Sequence, residues 1–239
     1  LSLAEAMAFG NGCLGCVQIS DPETRRYVDF FRDHFEDLYA EPRSAARVAL
    51  WRGSRALMLD NFVPHRAAVL VEQALIQGHR PYDLLLDSDL PRLAEYRAVI
   101  IPGMTVFDPG NEEMLRDYLA HGGGIVLVEE SGFFDGRLRR RNTPAFAKEL
   151  GLAGAYPHPP ADRRMVEVPG GGHLVYLPEV RCARFPRTVP EAEKLFGGHR
   201  DHWFMPDNAG EILDALCWAT GEDPEIQLLG PETVIMETT

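Results

Sequence analysis

Lysine is nearly missing from this 239-residue chain, which carries it only at Lys148 and Lys194. The 24 basic residues are outnumbered by 36 acidic ones, which gives a formal net charge of −12. Nucleic acids and anionic membranes select basic surfaces, so this charge disfavours both as partners. Long apolar runs are missing too. None approaches the roughly 20 residues that span a bilayer, which excludes an integral membrane protein.

Cysteine is scarce as well, and four copies do not form a disulfide framework. Cys13 and Cys16 make a CxxC motif, but only twelve residues precede it, whereas a redox motif should follow a strand. A zinc site would need two further ligands, and Cys182 and Cys217 are far apart. We interpret the motif as two small residues in a turn, and we expect a cytoplasmic protein.

Hydrophobic residues make up 45% of the chain and charged residues 25%, which is typical of a globular protein. From Arg47 onward, short apolar runs alternate with helical patterns, which indicates a parallel α/β sheet. The pattern predicts an α/β fold with a flavodoxin-like, doubly wound and mostly parallel sheet of order 2-1-3-4-5, with helices on both faces. The four predicted strands are residues 48–51, 82–86, 98–101 and 125–128.

Further elements follow from capping residues and glycine turns. We expect Asp21 to cap a helix over residues 22–38, Asn111 one that runs to 121, and Asn208 one that runs to 220. A helix over 65–77, a short helix over 143–150 and a hairpin of 165–168 with 173–177 complete the prediction. The expected domains are an N-terminal helical extension (1–43), the α/β domain (44–225) and the start of a C-terminal β segment (226–239).

In open α/β sheets, ligands bind in the crevice at the carboxyl ends of the strands. Asp87-Ser88-Asp89 after the second strand could be a phosphotransfer pair, but both lysines lie far away, and turn capping is the alternative. The predicted binding residues at this edge are Trp51, Arg52, Asp87, Gly103, Glu129 and Glu130.

Residues 129–132 follow the fourth strand, where α/β hydrolases and glutamine amidotransferases carry a strained nucleophile. A serine elbow needs small residues on both sides, but Glu129 and Phe133 flank Ser131. No cysteine lies between Cys16 and Cys182. We therefore predict no catalytic residue here. We interpret Glu129 and Glu130 as hydrogen-bond acceptors for groups of neighbouring turns, or as ion-pair partners of an arginine such as those among residues 137–141.

A second candidate region lies near residue 200. His199, Asp201 and His202 cluster there, with His173 as a conceivable third metal ligand. A metal site needs three or four convergent ligands, so we predict neither a metal nor a cofactor. The next three residues, Trp203, Phe204 and Met205, are of types enriched in interface cores. They are a candidate interface, or else a loop that folds back onto its own sheet.

The segment YLAHGGGIVL at residues 118–127 resembles part of a degenerate class I glutamine amidotransferase-like domain. This is the trimerisation-type domain that follows the catalytic barrel in family 42 β-galactosidases and related glycoside hydrolases. The resemblance extends to residues 46–50, 96–102, 132–135, 147–152 and 171–176. Residues 4–10 and 30–39 look like the end of such a barrel, and 231–237 like the lead into a small β-domain.

The resemblance implies a non-catalytic domain that supports oligomer assembly or active-site shaping of a glycoside hydrolase. Its implied partners are further copies of itself and a neighbouring hydrolase barrel, with carbohydrate as a possible ligand. Catalytic glutamates would then lie in a barrel outside this sequence, and Leu1 in place of methionine fits a piece of a longer protein. Two alternatives stay open: a stand-alone hydrolase or amidotransferase-like enzyme that uses Glu129 or Glu130 with a histidine, and a carbohydrate-binding module that stacks sugars on Trp51 or Trp203.

Overall fold

The computed structural model describes residues 21–39, 44–59, 63–152, 160–185, 204–221 and 228–231. These residues fall into two compact units, one with residues up to 45 and one from residue 46 onward. In the first unit, helix α1 (Pro22–Asp33) begins at Asp21, whose carboxylate accepts the backbone N–H of Thr24 at 2.8 Å. A π-helical turn, Phe35–Tyr39, follows, so the predicted helix leaves α geometry at His34.

The second unit is built on a six-stranded sheet of order β2-β1-β3-β4-β6-β5. The strands are β1 (Val48–Trp51), β2 (Tyr82–Leu85), β3 (Ala98–Pro102), β4 (Gly124–Val128), β5 (Arg164–Glu167) and β6 (His173–Leu177). The first five in spatial order are parallel, and β5 pairs antiparallel with β6 at one edge. The predicted α/β class and the hairpin are confirmed, with β6 in the fifth parallel position.

Helices cover both faces of the sheet. They are α2 (Ser54–Leu59), α3 (Val63–Gln77), α4 (Pro109–Ala120) and α5 (Ala209–Thr220), with a 3₁₀ helix at Asp87–Glu95. One buried layer lies between the sheet and α2, α4, the 3₁₀ helix and the segment after β4. The other lies between the sheet and α3 with α5. Strands β1, β3 and β4 are buried throughout, because both of their faces are covered.

The turn from α4 into β4 depends on glycine. Gly122 has φ +93°, in the left-handed region that favours glycine. A β-carbon on Gly124 would overlap the carbonyl group of Ala219, at the end of α5. Gly122 therefore ends α4, and Gly124 lets the end of α5 lie close to the start of β4.

Two predicted elements differ from the structure. Asn111 does not cap α4, which begins two residues earlier, with Asp108 as N-cap and Pro109 in the first turn. Proline suits that position because the first helical N–H has no partner within the helix. Residues 145–151 form turns instead of a helix, and Phe146 has φ +62°, which no α-helix allows. Its fully buried ring lies under the Arg116 guanidinium, 4.6 Å away, so packing has overridden the helical pattern.

Candidate functional site

Asp87 connects three elements at the carboxyl edge of the sheet. Its Oδ1 accepts the indole Nε1–H of Trp51 at 3.1 Å and the amide of Asn111 at 3.3 Å. Its Oδ2 accepts the backbone N–H of Ser54, at the start of α2, at 3.1 Å. The neighbouring Asp89 accepts the N–H of Leu86 at 2.9 Å, as turn capping predicts. Asp87 therefore joins β1, α2 and α4 instead of facing an open cleft.

Glu129 occupies the elbow after β4, and its backbone φ of +56° is in the left-handed region. A non-glycine residue there is strained, and such strain often accompanies functional sites. The Glu129 carboxylate, however, accepts a hydrogen bond from Arg66 Nη1 of α3 at 3.3 Å. The same oxygen accepts the N–H of Val180 at 3.1 Å. Both charged side chains are nearly buried, with 11% of Arg66 and 14% of Glu129 exposed.

Arg66 completes the connection by donating from Nη2 to the carbonyl oxygen of Val180 at 3.1 Å. Burial raises the pKa of Glu129, and the Val180 N–H and the Arg66 charge oppose that rise. Val180 therefore joins the segment after β6 to the elbow through its N–H, which binds Glu129, and to α3 through its carbonyl, which binds Arg66. We call the set Arg66, Glu129 and Val180 the elbow clamp.

Backbone groups around the elbow are engaged as well. Gly103, after β3, has φ +62° and donates its N–H to the carbonyl of Val128 at 3.1 Å. Glu129 donates its own N–H to the carbonyl of Leu177 at 2.8 Å. The buried Ser131 hydroxyl lies 2.7 Å from the carbonyl oxygen of Val128 and 2.8 Å from that of Ile101. These N–H groups are not available to stabilise an oxyanion, and the serine is not poised as a nucleophile.

Glu130 points to the other face of the sheet. Its carboxylate lies 3.4 Å from the Arg140 guanidinium, whose carbon is 5.6 Å from the rings of both Phe133 and Phe134. Asp135, at the start of this arginine-rich loop, accepts the N–H of Arg139, and its pKa falls to about 2 chiefly for that reason. The pairing of Glu129 and Glu130 with arginines is thus observed, although Glu129 pairs with an arginine outside residues 137–141.

Comparisons with known proteins bear on this fold. Neither a protein-family model nor a curated protein sequence matches the chain. Among solved structures, the cold-adapted β-galactosidase from Rahnella sp. R3 matches 91% of this chain with a TM-score of 0.60 and 15% identity, over 38% of its own length. The β-galactosidase from Bacillus circulans matches 86% of the chain (TM-score 0.58, 15% identity, 35% of its length). The β-galactosidase from Halorubrum lacusprofundi matches 79% (TM-score 0.52, 17% identity, 32% of its length).

The likeness is one of fold. At such low identity it relates the shape of this chain to part of these enzymes, and the chain spans about a third of their length.

Among the predicted binding residues, Trp51 does not face the solvent. It is fully buried, with its ring 5.2 Å from that of Phe107, and so has no exposed face on which a sugar could stack. The candidate interface is described only in part, since Trp203 lies outside the described residues. Phe204 and Met205 are partly buried and pack against the core layer beneath α3 and α5. That packing is the one expected of a loop that folds back onto its own sheet.

Other predicted sites lie largely outside the described ranges. These are the CxxC motif, the histidine cluster near residue 200 and nearly all of residues 226–239. Within the described ranges, no group of three histidine, cysteine or acidic side chains could hold a metal ion. None of the helices in that part of the chain is long and apolar enough to cross a bilayer.

Sequence reasoning missed Arg66, Glu72 and Val180. The one signal for Arg66 is its position in the apolar pattern of α3, directly before Ala67 and Ala68. A charged side chain within a buried stripe needs a buried partner, which that pattern does not identify. Arg52, one of the predicted binding residues, donates from Nε to Glu72 Oε1 at 2.8 Å. Burial raises the pKa of Glu72, with Arg52 opposing the rise.

His65, in the first turn of α3, gives this edge a pH response that can be measured. Burial lowers the pKa of the half-buried imidazole, and the nearby Arg52 charge lowers it further. A histidine pKa that is lower in the folded state contributes stability above the unfolded pKa of about 6.5, and this contribution is lost as the pH falls below it. We therefore expect the free energy of unfolding of wild type to fall relative to that of His65→Gln between pH 7 and 5, so that the two proteins show different slopes with pH in urea unfolding. Equal slopes would contradict this.

Proposed function

We propose that this chain is a non-catalytic, amidotransferase-like domain of a glycoside hydrolase. In this role it supports oligomer assembly or shapes the active site of a neighbouring hydrolase barrel. The observation that carries the proposal is the elbow clamp. At the position where an amidotransferase-like fold would carry its nucleophile, Glu129 is nearly buried and held by Arg66 and Val180. A carboxylate so engaged can neither attack a substrate nor move a proton to one.

The structural likeness supports the hydrolase context. The chain matches about a third of the length of several β-galactosidases, so a comparable domain accompanies larger enzymes of that activity. The remaining two thirds of those proteins are not matched by this chain. The proposal therefore includes that the catalytic groups of the parent enzyme lie outside this chain.

The edge strand β2 offers a surface for assembly. Among the described strands it has a neighbour on one side only, β1, and Leu84 and Leu86 are 52% and 51% exposed. Edge strands are usually protected from association by lysine, proline or charges. Within residues 82–86 the one charged side chain, Asp83, accepts a hydrogen bond from the Tyr96 hydroxyl at 2.8 Å. We propose that a second copy of the chain covers these leucines.

Light scattering after size-exclusion chromatography tests the assembly role. We expect an oligomer for wild type and a dissociation constant at least about tenfold weaker for Leu84→Lys/Leu86→Lys, because two buried leucines become charged. Met165→Lys, on β5 at the opposite edge, is the matched control, since Met165 is also exposed. A monomeric wild type, or equal weakening by the control, would contradict the use of this edge.

Hydrolysis of a nitrophenyl β-galactoside by the isolated chain tests the non-catalytic part. We expect no activity above buffer for wild type, Glu129→Gln and Glu130→Gln alike. Glu113→Gln, on the exposed side of α4, is the control. If wild type turns over the substrate, and either glutamate variant loses this activity while Glu113→Gln keeps it, the chain is instead an enzyme that uses a carboxylate.

A further inference from the structure

A cavity of about 610 Å³ opens at the amino edge of the sheet, opposite the elbow clamp. It lies between the 3₁₀ helix and α4, beside the starts of β1, β3 and β4. Pockets that hold small molecules usually measure about 300–1,000 Å³. The cavity is therefore large enough for a compact ligand, and nothing in the proposed assembly role uses it.

The floor of this amino-edge cavity is apolar and fixed. Leu90, Leu93, Tyr96 and Tyr118 line it but are at most 8% exposed, so its accessible apolar surface is that of the partly buried Met114 and the exposed Pro91 and Ala94. The Tyr118 hydroxyl donates to the backbone carbonyl of Tyr96 at 3.1 Å and the Tyr96 hydroxyl donates to Asp83 at 2.8 Å, so both rings are held in place. A ligand that reaches this floor must present a face of C–H groups.

The rim carries charges of both signs. Arg47 and Arg97 directly precede the paired strands β1 and β3, and the Arg97 N–H donates to the Arg47 carbonyl at 2.7 Å. Both guanidinium groups therefore start from adjacent backbone positions. Across the cavity, Glu95 ends the 3₁₀ helix and pairs with Arg92 at 2.8 Å, and Asp117 lies on the last turn of α4 with its carboxylate 3.3 Å from the His121 imidazole.

The formal charges of the four charged lining groups cancel, with two guanidinium and two carboxylate groups, and Arg92 pairs with Glu95 from outside the lining. An anion would meet the carboxylates and the negative ends of two helices, and a cation would meet the arginines. A neutral molecule with many hydroxyl groups meets no such repulsion, because each hydroxyl can both donate to a carboxylate and accept from a guanidinium.

We propose that the amino-edge cavity binds a neutral mono- or disaccharide. One face of a sugar ring carries C–H groups that can pack on Pro91, Ala94 and Met114, while the hydroxyls at its edge bind Arg47, Arg97 and Asp117 and share the Glu95 carboxylate with Arg92. The charges of both signs on the rim favour a neutral compound with many hydroxyl groups. The choice of a saccharide within that class rests on the proposed function.

Chemical-shift titration of the ¹⁵N-labelled chain with galactose, glucose and lactose tests the site. We expect saturable shifts of the Glu95, Asp117 and Gly123 amides, with a dissociation constant of about 1 mM for the best sugar. Ala94→Trp should abolish them, because Ala94 is exposed, lines the cavity and would be replaced by a side chain that fills it. Asp117→Asn should weaken binding by about tenfold, since it removes a charged acceptor.

Glu113→Gln is the matched control, because Glu113 is an exposed acidic residue of α4 that does not line the cavity. Shifts that fail to saturate with all three sugars would overturn the proposal, as would undiminished binding by folded Ala94→Trp. The readout does not depend on oligomeric mass. A failure of sugar binding is therefore distinguishable from a failure of the assembly role, which light scattering reports.

Discussion

Replacing Arg66 with methionine is expected to lower the free energy of unfolding by about 3 kcal/mol, because breaking a buried ion pair leaves an uncompensated charge. The variant leaves the nearly buried Glu129 carboxylate with the Val180 N–H at 3.1 Å as its remaining partner in the elbow clamp. It also removes the donor to the Val180 carbonyl. Urea unfolding followed by circular dichroism measures the loss.

The size of this loss should depend on pH. Burial already raises the pKa of Glu129 in the folded state, so the carboxyl contributes stability below its unfolded pKa, and that contribution is lost as the pH rises toward the folded pKa. Arg66 opposes the rise, so its removal extends this window to higher pH. The difference between wild type and Arg66→Met should therefore be larger at pH 8 than at pH 5.

Arg55→Met is the control for this prediction, because Arg55 is half exposed and pairs with Asp108 at 3.0 Å. Exposed ion pairs contribute about 0–1 kcal/mol. In the double variant Arg66→Met/Glu129→Gln both charges are gone, so the loss should be smaller than the sum of the single losses by about 1–2 kcal/mol. Additive losses, or an Arg66→Met loss no larger than that of Arg55→Met, would show that the pair does not couple.

The sheet could be predicted because local patterns encode it. Strands β1, β3 and β4 are short apolar runs, such as Ala-Val-Ile-Ile before Pro102, bounded by turn residues and separated by helical stretches. That alternation allows few topologies, so the order of the first four strands follows from it. The turns at residues 145–151 could not be predicted in the same way, because the burial of Phe146 depends on Arg116, thirty positions earlier.

The candidate site could be located but not interpreted from the sequence. The rule that strand ends meet at one edge correctly brings Trp51, Asp87 and Gly103 to the same edge as Glu129. What each side chain does there depends on partners that no spacing reveals. Glu129 binds Val180, 51 residues away, and Asn111 donates to Asp87 instead of capping its own helix.

Replacing Trp51 with alanine is expected to cost about 4 kcal/mol of unfolding free energy, the usual range for a buried tryptophan. The indole is fully buried against Phe107 and donates to Asp87 at 3.1 Å. Its removal therefore opens a cavity and leaves Asp87 with one donor fewer. Trp51→Phe keeps most of the ring but loses the hydrogen bond, so its loss should be about 1–2 kcal/mol.

Trp218→Ala provides the comparison that makes this result specific, because Trp218 is partly exposed and its ring lies 4.6 Å from that of His173 on the other face of the sheet. Trp218→Ala should lower the free energy of unfolding by less than Trp51→Ala does, because the substitution removes less buried apolar surface. If Trp51→Ala instead costs no more than Trp218→Ala in urea unfolding, the indole does not anchor the carboxyl edge. Trp51 would then be free to turn outward, and stacking of a sugar on it would again be a reasonable hypothesis.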